Sequence, residues 1–201
     1  MDTETCGKCG KLLEPRDTIH VADLGPRCFT CHNQELAGRL GVRFDDTPLD
    51  PIVVNDAEGA PHTLAIRSLL VPTGREMTAR EVQPQGGGYE FSVLGDFDAD
   101  AWRLFTHLYE KIRREIAVKH VEMTEFGWHL TAADRFAGRI EWDDDSGGET
   151  PIVVIDGKPF TWDELGRILT TYEGFTLHAR IEDSIEIVGG PLLEKGPEGK
   201  G

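Results

Sequence analysis

The chain contains four cysteines, and all of them lie in two short pairs near its N-terminus. Cys6 and Cys9 form the first Cys-x-x-Cys pair, and Cys28 and Cys31 form the second. The length of the segment between the pairs is typical of a four-cysteine zinc site. Two such turns can bring their thiolates together into the tetrahedral sulfur shell that zinc prefers. We therefore predict that Cys6, Cys9, Cys28 and Cys31 bind one Zn²⁺ ion.

The predicted zinc site is expected to be structural rather than catalytic. Four thiolates fill a tetrahedral shell and leave no position for water or a substrate. His20 or His32 could replace a cysteine as a ligand, although four sulfurs make neither necessary. Several nearby basic residues could offset the charge of the thiolates, or could be ordinary solvated surface. These residues are Lys8, Lys11, Arg16 and Arg27.

The residues around the cysteines predict a hairpin followed by a helix. Residues 18–21 have strand character, and Gly25-Pro26 supplies a turn before the second pair. Residues 33–40 can form a short helix with Leu36 and Leu40 on one side. A knuckle, a hairpin and a second knuckle at the start of a helix make a treble-clef finger.

Over about residues 6–40, this order of elements resembles the four-cysteine zinc fingers of the DksA/TraR type. The resemblance implies that the cysteines of both pairs are ligands. In that family the finger follows a long helical hairpin with acidic residues at its tip, whereas here the finger comes first. The resemblance therefore implies the fold of the finger and not a polymerase-directed function.

Composition limits the compartment and the partners of the protein. The formal net charge of −15 opposes binding to polyanions, because nucleic-acid affinity depends on Lys and Arg contacts to phosphates. The acidic start shows no export signal, and the longest apolar runs are too short to span a bilayer. We expect a cytoplasmic protein without a membrane segment, where reduced thiols bind metal rather than form disulfides.

The rest of the chain predicts a second, larger domain. We assign residues 1–44 to the finger, 45–50 to a polar linker that contains Pro48 and precedes Pro51, 51–188 to an α+β domain and 189–201 to a flexible tail. Short β-rich runs separated by turns favour a mostly antiparallel sheet, and two amphipathic patterns predict two helices. The fold class is therefore α+β, with the small treble-clef finger preceding the sheet.

Three patterns in the larger domain lead to specific expectations. The first helix, over about residues 98–120, should bury Trp102, Phe105, Leu108, Tyr109, Ile112 and Ile116. The second should begin with a capping box formed by Thr161 and Glu164. Apolar residues then alternate with polar ones and predict a strand with one buried face, the apolar set being Phe175, Leu177, Ala179 and Ile181.

The residues from Asp156 to Phe175 resemble the C-terminal part of bacterial proteins that pair it with an N-terminal zinc finger and have no assigned activity. This resemblance implies an architecture and no chemistry. We predict a zinc-binding interaction or adaptor protein whose partner is another protein. One alternative is a nucleic-acid-binding regulator that uses the finger and the basic face of the 98–120 helix. A second alternative is an enzyme whose site draws on scattered histidines, namely His62, His107, His120, His129 and His178.

Overall fold

The computed structural model describes residues 4–13, 17–22, 24–45, 48–82, 87–131, 133–143 and 146–189. These residues form an N-terminal group of short hairpins with one helix, a five-stranded sheet, a three-stranded sheet and two further helices. The predicted α+β class with mostly antiparallel pairing is confirmed. The predicted tail, apart from Gly189, lies outside the described residues, as does part of the predicted linker.

The N-terminal region consists of two hairpins and a helix. Its elements are β1 (Glu4–Thr5) paired with β2 (Leu12–Leu13), β3 (Ile19–Val21) paired with β4 (Gly25–Arg27), and helix α1 (Phe29–Leu40). Helix α1 begins earlier than its apolar pattern predicts, because the Cys28 sulfur accepts a hydrogen bond from the Cys31 amide and caps the first turn. It ends at Gly41, whose φ of 67° suits a glycine.

A five-stranded sheet forms the centre of the molecule. Four of its strands are consecutive and antiparallel: β5 (Ile52–Asn55), β6 (Pro61–Val71), β7 (Gly74–Glu81) and β8 (Glu90–Gly95). The fifth, β14 (Ile185–Val188), comes from the end of the described chain and pairs in parallel with β8. The sheet is therefore completed by residues distant in sequence.

Helix α2 (Ala101–Ile116) packs on this sheet, and Asp100 caps it by accepting a hydrogen bond from the Arg103 amide. The face in contact with the sheet is aliphatic and comprises Leu104, Leu108, Ile112 and Ile116. The prediction that Trp102 and Tyr109 are buried is wrong, since they are 60% and 38% exposed. Their rings contact Phe105 along the helix surface instead of the sheet. The helix also ends four residues before the predicted limit.

The last part of the chain builds a smaller layer. It contains β9 (Val121–Thr124) paired with β10 (Gly127–Leu130), a three-stranded sheet of β11 (Arg139–Trp142), β12 (Pro151–Ile155) and β13 (Lys158–Thr161), and helix α3 (Trp162–Thr170). The predicted capping box is confirmed: Glu164 donates its amide to the Thr161 hydroxyl and accepts the Thr161 amide in return. Helix α3 covers the sheet through Leu165 and Ile168.

The strand predicted over residues 175–181 is absent from the part of the chain that the structure describes. Residues 175–183 have no regular secondary structure, and every residue from 173 to 184 except Gly174 carries an exposed side chain. The prediction of one buried face is wrong because an alternating pattern needs a neighbouring strand, and none of the described strands lies beside this segment.

Candidate metal centre

The four cysteine sulfurs converge on one point. They all lie within 4.8 Å of one another, and the Cys9 and Cys28 sulfurs are 3.9 Å apart. Sulfurs about 2.3 Å from a central zinc ion in a tetrahedron lie about 3.8 Å from each other. The cluster could therefore hold a metal ion, and four thiolates suit zinc.

Local backbone structure positions each pair. In the first turn, the Gly10 amide donates to the Cys6 carbonyl at 2.8 Å, and Gly10 has a φ of 73°. This left-handed conformation favours glycine and lets the chain turn back toward β2. The second pair lies at the start of α1. Cys28 and Cys31 therefore both form the beginning of the helix and contribute sulfurs to the cluster.

Burial and amide donors set the acidity of the thiols. Cys6, Cys28 and Cys31 are buried beside Leu13, whereas Cys9 is exposed. Burial alone would raise the pKa of Cys6, but the backbone amides of Cys28, Cys9 and Lys8 lower it to about 6. Burial and the neighbouring sulfurs raise the pKa of the Cys31 thiol to about 12. A cation in the cluster would favour the thiolate form of all four.

The two histidines near the cysteines contact other groups. The His32 Nε2 atom lies 3.1 Å from the Leu70 carbonyl oxygen on β6, and the His20 Nε2 atom lies 3.3 Å from a Glu4 carboxylate oxygen. Both imidazoles are therefore already engaged outside the sulfur cluster.

Of the basic residues considered as neighbours of the site, Arg27 is the best placed. It is buried, and its guanidinium group lies against Gly7 inside the first cysteine turn. Its Nε atom is 3.7 Å from a Glu35 carboxylate oxygen. Lys8 and Lys11 are exposed, and Arg16 lies outside the described residues.

The finger is attached to the edge of the large sheet by a contact that the sequence reasoning missed. Asn33 on α1 is fully buried, donates its side-chain amide to the Ser68 carbonyl at 3.0 Å and accepts the Leu70 amide at 2.8 Å. Strand β5 covers β6 only as far as Leu64, so these backbone groups lie on the uncovered edge. The available signal was the spacing of Asn33 and Ala37, which places a polar residue in the buried stripe of the helix.

A cavity of about 560 Å³ lies where the finger meets the sheet. Three of the cysteines line it, together with Phe29 and Thr30 of α1. Residues 66–68 of β6 also line it. The sulfur cluster thus borders an open space between the two parts of the protein.

The other histidines do not gather into a second site in the described residues, where the cysteines form the one group suited to a metal. His62 lies on β6 with its Nδ1 atom 2.7 Å from Glu81 and its Nε2 atom 3.2 Å from Asp56. His129 contacts Thr124, and His178 is exposed on the segment without regular structure. The histidines thus occupy separate environments.

The basic face of α2 has fewer available charges than its sequence suggests. Lys111 is buried and donates to the carbonyls of Ser92 and Ser184. Arg114 pairs with Glu186, and Lys119, just beyond the helix, pairs with Glu58. Three of the cations in this region are therefore engaged by groups of the same chain.

None of the helices in the described ranges is both long enough and apolar enough to cross a membrane.

The fold and the cysteine cluster define an α+β protein with a small N-terminal site that could hold a metal ion. Residues 45–117 match the family model of a domain of unknown function (DUF7686), and residues 120–186 match that of a second domain of unknown function (DUF7713). No curated protein and no solved structure matches the chain. Neither family match includes the cysteines, so the resemblance to the DksA/TraR-type finger stays a prediction.

The two matched regions share secondary structure. Strand β14 begins within the second region and pairs with β8 of the first. Lys111 in the first region also donates to the Ser184 carbonyl in the second. The two regions therefore contribute to one continuous sheet.

Proposed function

We propose that this chain is a zinc-binding adaptor protein of the cytoplasm, in which one structural Zn²⁺ is held by Cys6, Cys9, Cys28 and Cys31. The observation that carries the proposal is the convergence of the four sulfurs within 4.8 Å of one another. A closed shell of four thiolates stabilises a fold and offers no position for a reacting molecule. The metal would hold together a region with few buried apolar residues of its own.

The elements around the cysteines support a treble-clef arrangement for the finger. The first pair lies in a turn between β1 and β2, the β3–β4 hairpin follows, and the second pair opens α1. In this arrangement, backbone amides donate hydrogen bonds to the sulfurs of Cys6 and Cys28. Such donors lower the cost of collecting several negative sulfurs around one cation.

The adaptor role is supported by what surrounds the finger. Helix α1 is anchored to β6 through Asn33, so a metal-stabilised finger would be presented in a fixed orientation on the sheet. The cavity beside it combines apolar surface from Phe29 and Leu49 with the charged Lys11 and Asp17. A mixed apolar and polar recess of this kind suits a side chain of a protein partner.

The zinc assignment is tested on the purified full chain by elemental analysis and by replacing the native metal with Co²⁺. We expect about one zinc per chain and the absorption of a tetrahedral cobalt–thiolate site. Cys28→Ser should lose the metal, whereas His32→Gln should retain it, because His32 contacts Leu70 rather than the sulfurs. Full zinc content in Cys28→Ser, or loss of zinc in His32→Gln, would contradict the assignment.

The adaptor role is tested by affinity capture from the native cell. The intact protein, the Cys28→Ser Cys31→Ser variant, and intact protein stripped of zinc and then reloaded serve as the three baits. Partners that are lost from the variant and recovered on the reloaded protein would place the interaction on the finger. Identical partner sets for all three baits would show that the finger does not bind the partners, which would contradict its role in the proposal.

Nucleic-acid binding is the weaker candidate. Several cations of the α2 region are paired or buried, and the net charge is −15. Binding of a nucleic acid at low salt that weakens steeply as salt is added would favour this alternative over the adaptor role.

A further inference from the structure

The exposed segment of residues 175–183 is patterned as a strand, but none of the strands that the structure describes lies beside it. Phe175, Leu177 and Ile181 are 77%, 64% and 84% exposed, although they alternate with polar residues as one face of a strand would. Among the described residues, no backbone hydrogen bond involves residues 176–183. The segment therefore carries both an unpaired backbone and an uncovered apolar face.

A second incomplete surface lies at the outer edge of the three-stranded sheet. Strand β11 is an edge strand, with β12 on one side and no described strand on the other. Ile140 stands opposite the buried Val153, so it lies on the face that forms the core. Ile140 and Trp142 are nevertheless 56% and 70% exposed, because helix α3 covers β12 and β13 and leaves this edge open.

We propose that two copies of this chain associate by reciprocal strand addition. Residues 179–182 of each copy pair antiparallel with β11 of the other. Reciprocal pairing about a two-fold axis uses the same two surfaces on each copy and closes into a dimer. It covers both apolar surfaces and satisfies both free backbone edges.

Side-chain complementarity selects one register for this pairing. With Glu182 opposite Arg139, Ile181 falls opposite Ile140, Arg180 opposite Glu141, and the small Ala179 opposite the large Trp142. Opposite charges and apolar residues are thus matched at every position.

Neighbouring registers are disfavoured on electrostatic and hydrophobic grounds. A shift of two residues in one direction places Arg180 opposite Arg139, and the same shift in the other direction places Glu182 opposite Glu141. A shift of one residue turns the apolar side chains to the wrong face of the sheet.

The ends of the segment are anchored within one chain, which leaves its middle available to a second copy. The Tyr172 ring contacts Phe175, and the Tyr172 hydroxyl donates to Asp134 at 3.0 Å. At the other end, the Ser184 carbonyl accepts from Lys111, and β14 follows immediately. Arg180 pairs with Glu182 and Arg139 with Glu141 in each single chain, so the dimer exchanges these pairs for cross-strand ones.

Sedimentation analysis of the full chain from about 1 µM to about 500 µM tests the proposal, since association is concentration-dependent. We expect a monomer–dimer equilibrium, with amides within residues 179–182, which make no backbone hydrogen bond in the described chain, gaining protection from hydrogen exchange as the dimer forms. A monomer at every concentration would overturn the proposal. So would protection of these amides in the monomer, since that indicates pairing within one chain.

A charge exchange identifies the surface involved. Arg180→Glu places two carboxylates opposite each other at two symmetric positions and should weaken the dimer about tenfold. Adding Glu141→Arg to it should restore most of the affinity. Arg167→Glu, which changes an exposed basic residue of α3 outside both paired segments, is the matched control and should leave the affinity unchanged. A dimer affinity that Arg180→Glu does not change, or that the double change does not restore, would overturn the proposed strand pairing.

Discussion

The side chain of Asn33 accepts a hydrogen bond from the backbone amide of Leu70 at 2.8 Å, and both residues are fully buried. The same side chain donates to the Ser68 carbonyl, so the amide group of Asn33 makes the two contacts that a neighbouring strand would make. A helix of the finger thereby covers the part of β6 that β5 does not reach. Asn33 therefore couples the finger to the sheet, beside the contact of the His32 ring with the Leu70 carbonyl.

Replacing Asn33 should loosen this junction. Asn33→Leu removes both hydrogen bonds and leaves two buried backbone groups unsatisfied, which should lower the free energy of unfolding by about 2 kcal/mol. Denaturant unfolding of the zinc-loaded protein measures the change. Gln34→Ala, an exposed neighbour on the same helix, is the control and should shift stability by less than about 0.5 kcal/mol. Equal stability of Asn33→Leu and the wild-type protein would show that the junction is not stabilising.

Removal of the metal should destabilise part of the sheet as well as the finger. Helix α1 begins at the second cysteine pair, so loss of the metal should release the contacts of Asn33 and increase hydrogen exchange at the Leu70 amide. Amides of β8, which is covered on both sides by other strands, should be unaffected. Hydrogen exchange with and without a chelator measures both. Unchanged exchange at the Leu70 amide after complete removal of the metal would show that metal binding does not stabilise the contact between the finger and the sheet.

The ion-pair cluster around His62 predicts a dependence of stability on pH. Burial would lower the pKa of His62, but hydrogen bonds to Glu81 and Asp56 outweigh burial and raise it above 6.5. Burial would likewise raise the pKa of Asp56, but the amides of Ala60 and Glu58 and the ring of His62 lower it below 3.8. The protonated ring donates to both carboxylates, and the neutral ring can donate to only one.

The signs of these shifts define the expected profile. The contribution of His62 is complete below about pH 6.5 and is lost as the pH rises through the raised folded-state pKa. That of Asp56 is present above about pH 3.8 and is lost as the pH falls through its lowered folded-state pKa. Stability from this cluster should therefore be greatest between these two values.

The variant His62→Gln tests this cluster. It removes a cationic partner of the buried Glu81 carboxylate and should destabilise the protein by about 3 kcal/mol at about pH 6. The difference from the wild-type protein should shrink as the pH rises through the raised folded-state pKa of His62, because the ring then loses its charge. Unfolding free energies of both proteins across this range, with zinc present, give the comparison. A difference that is constant with pH would mean that the ring is not protonated in the folded state.

The capping box of α3 should contribute measurably to the stability of the layer that follows residue 120. Thr161→Ala removes the acceptor of the Glu164 amide and should cost about 1 kcal/mol. Thr161→Ser keeps a hydroxyl at the same position and should retain most of the stability. Thermal unfolding of the three proteins measures this order. An alanine variant as stable as the serine variant would exclude a role for the hydroxyl.

Local structure was largely predictable because its determinants lie within a few residues of each other. The two cysteine pairs predicted the sulfur cluster, since each pair shares one tight turn and their spacing allows the turns to meet. Thr161 and Glu164 predicted the start of α3 for the same reason. The turn at Asp156-Gly157 also follows from its two residues, which both adopt positive φ.

Contacts between distant segments were decided by the tertiary structure alone. The alternation of residues 175–181 does not determine whether a partner strand exists, and no strand within the described ranges lies beside the segment. Both Trp102 and Leu104 fit helical spacing on α2, and only the position of the sheet determines that Leu104 is the buried one. The coverage of the β6 edge by Asn33 likewise depends on where α1 meets the sheet. Sequence spacing determines what each element can present, whereas the packing of the elements determines which of those groups meet.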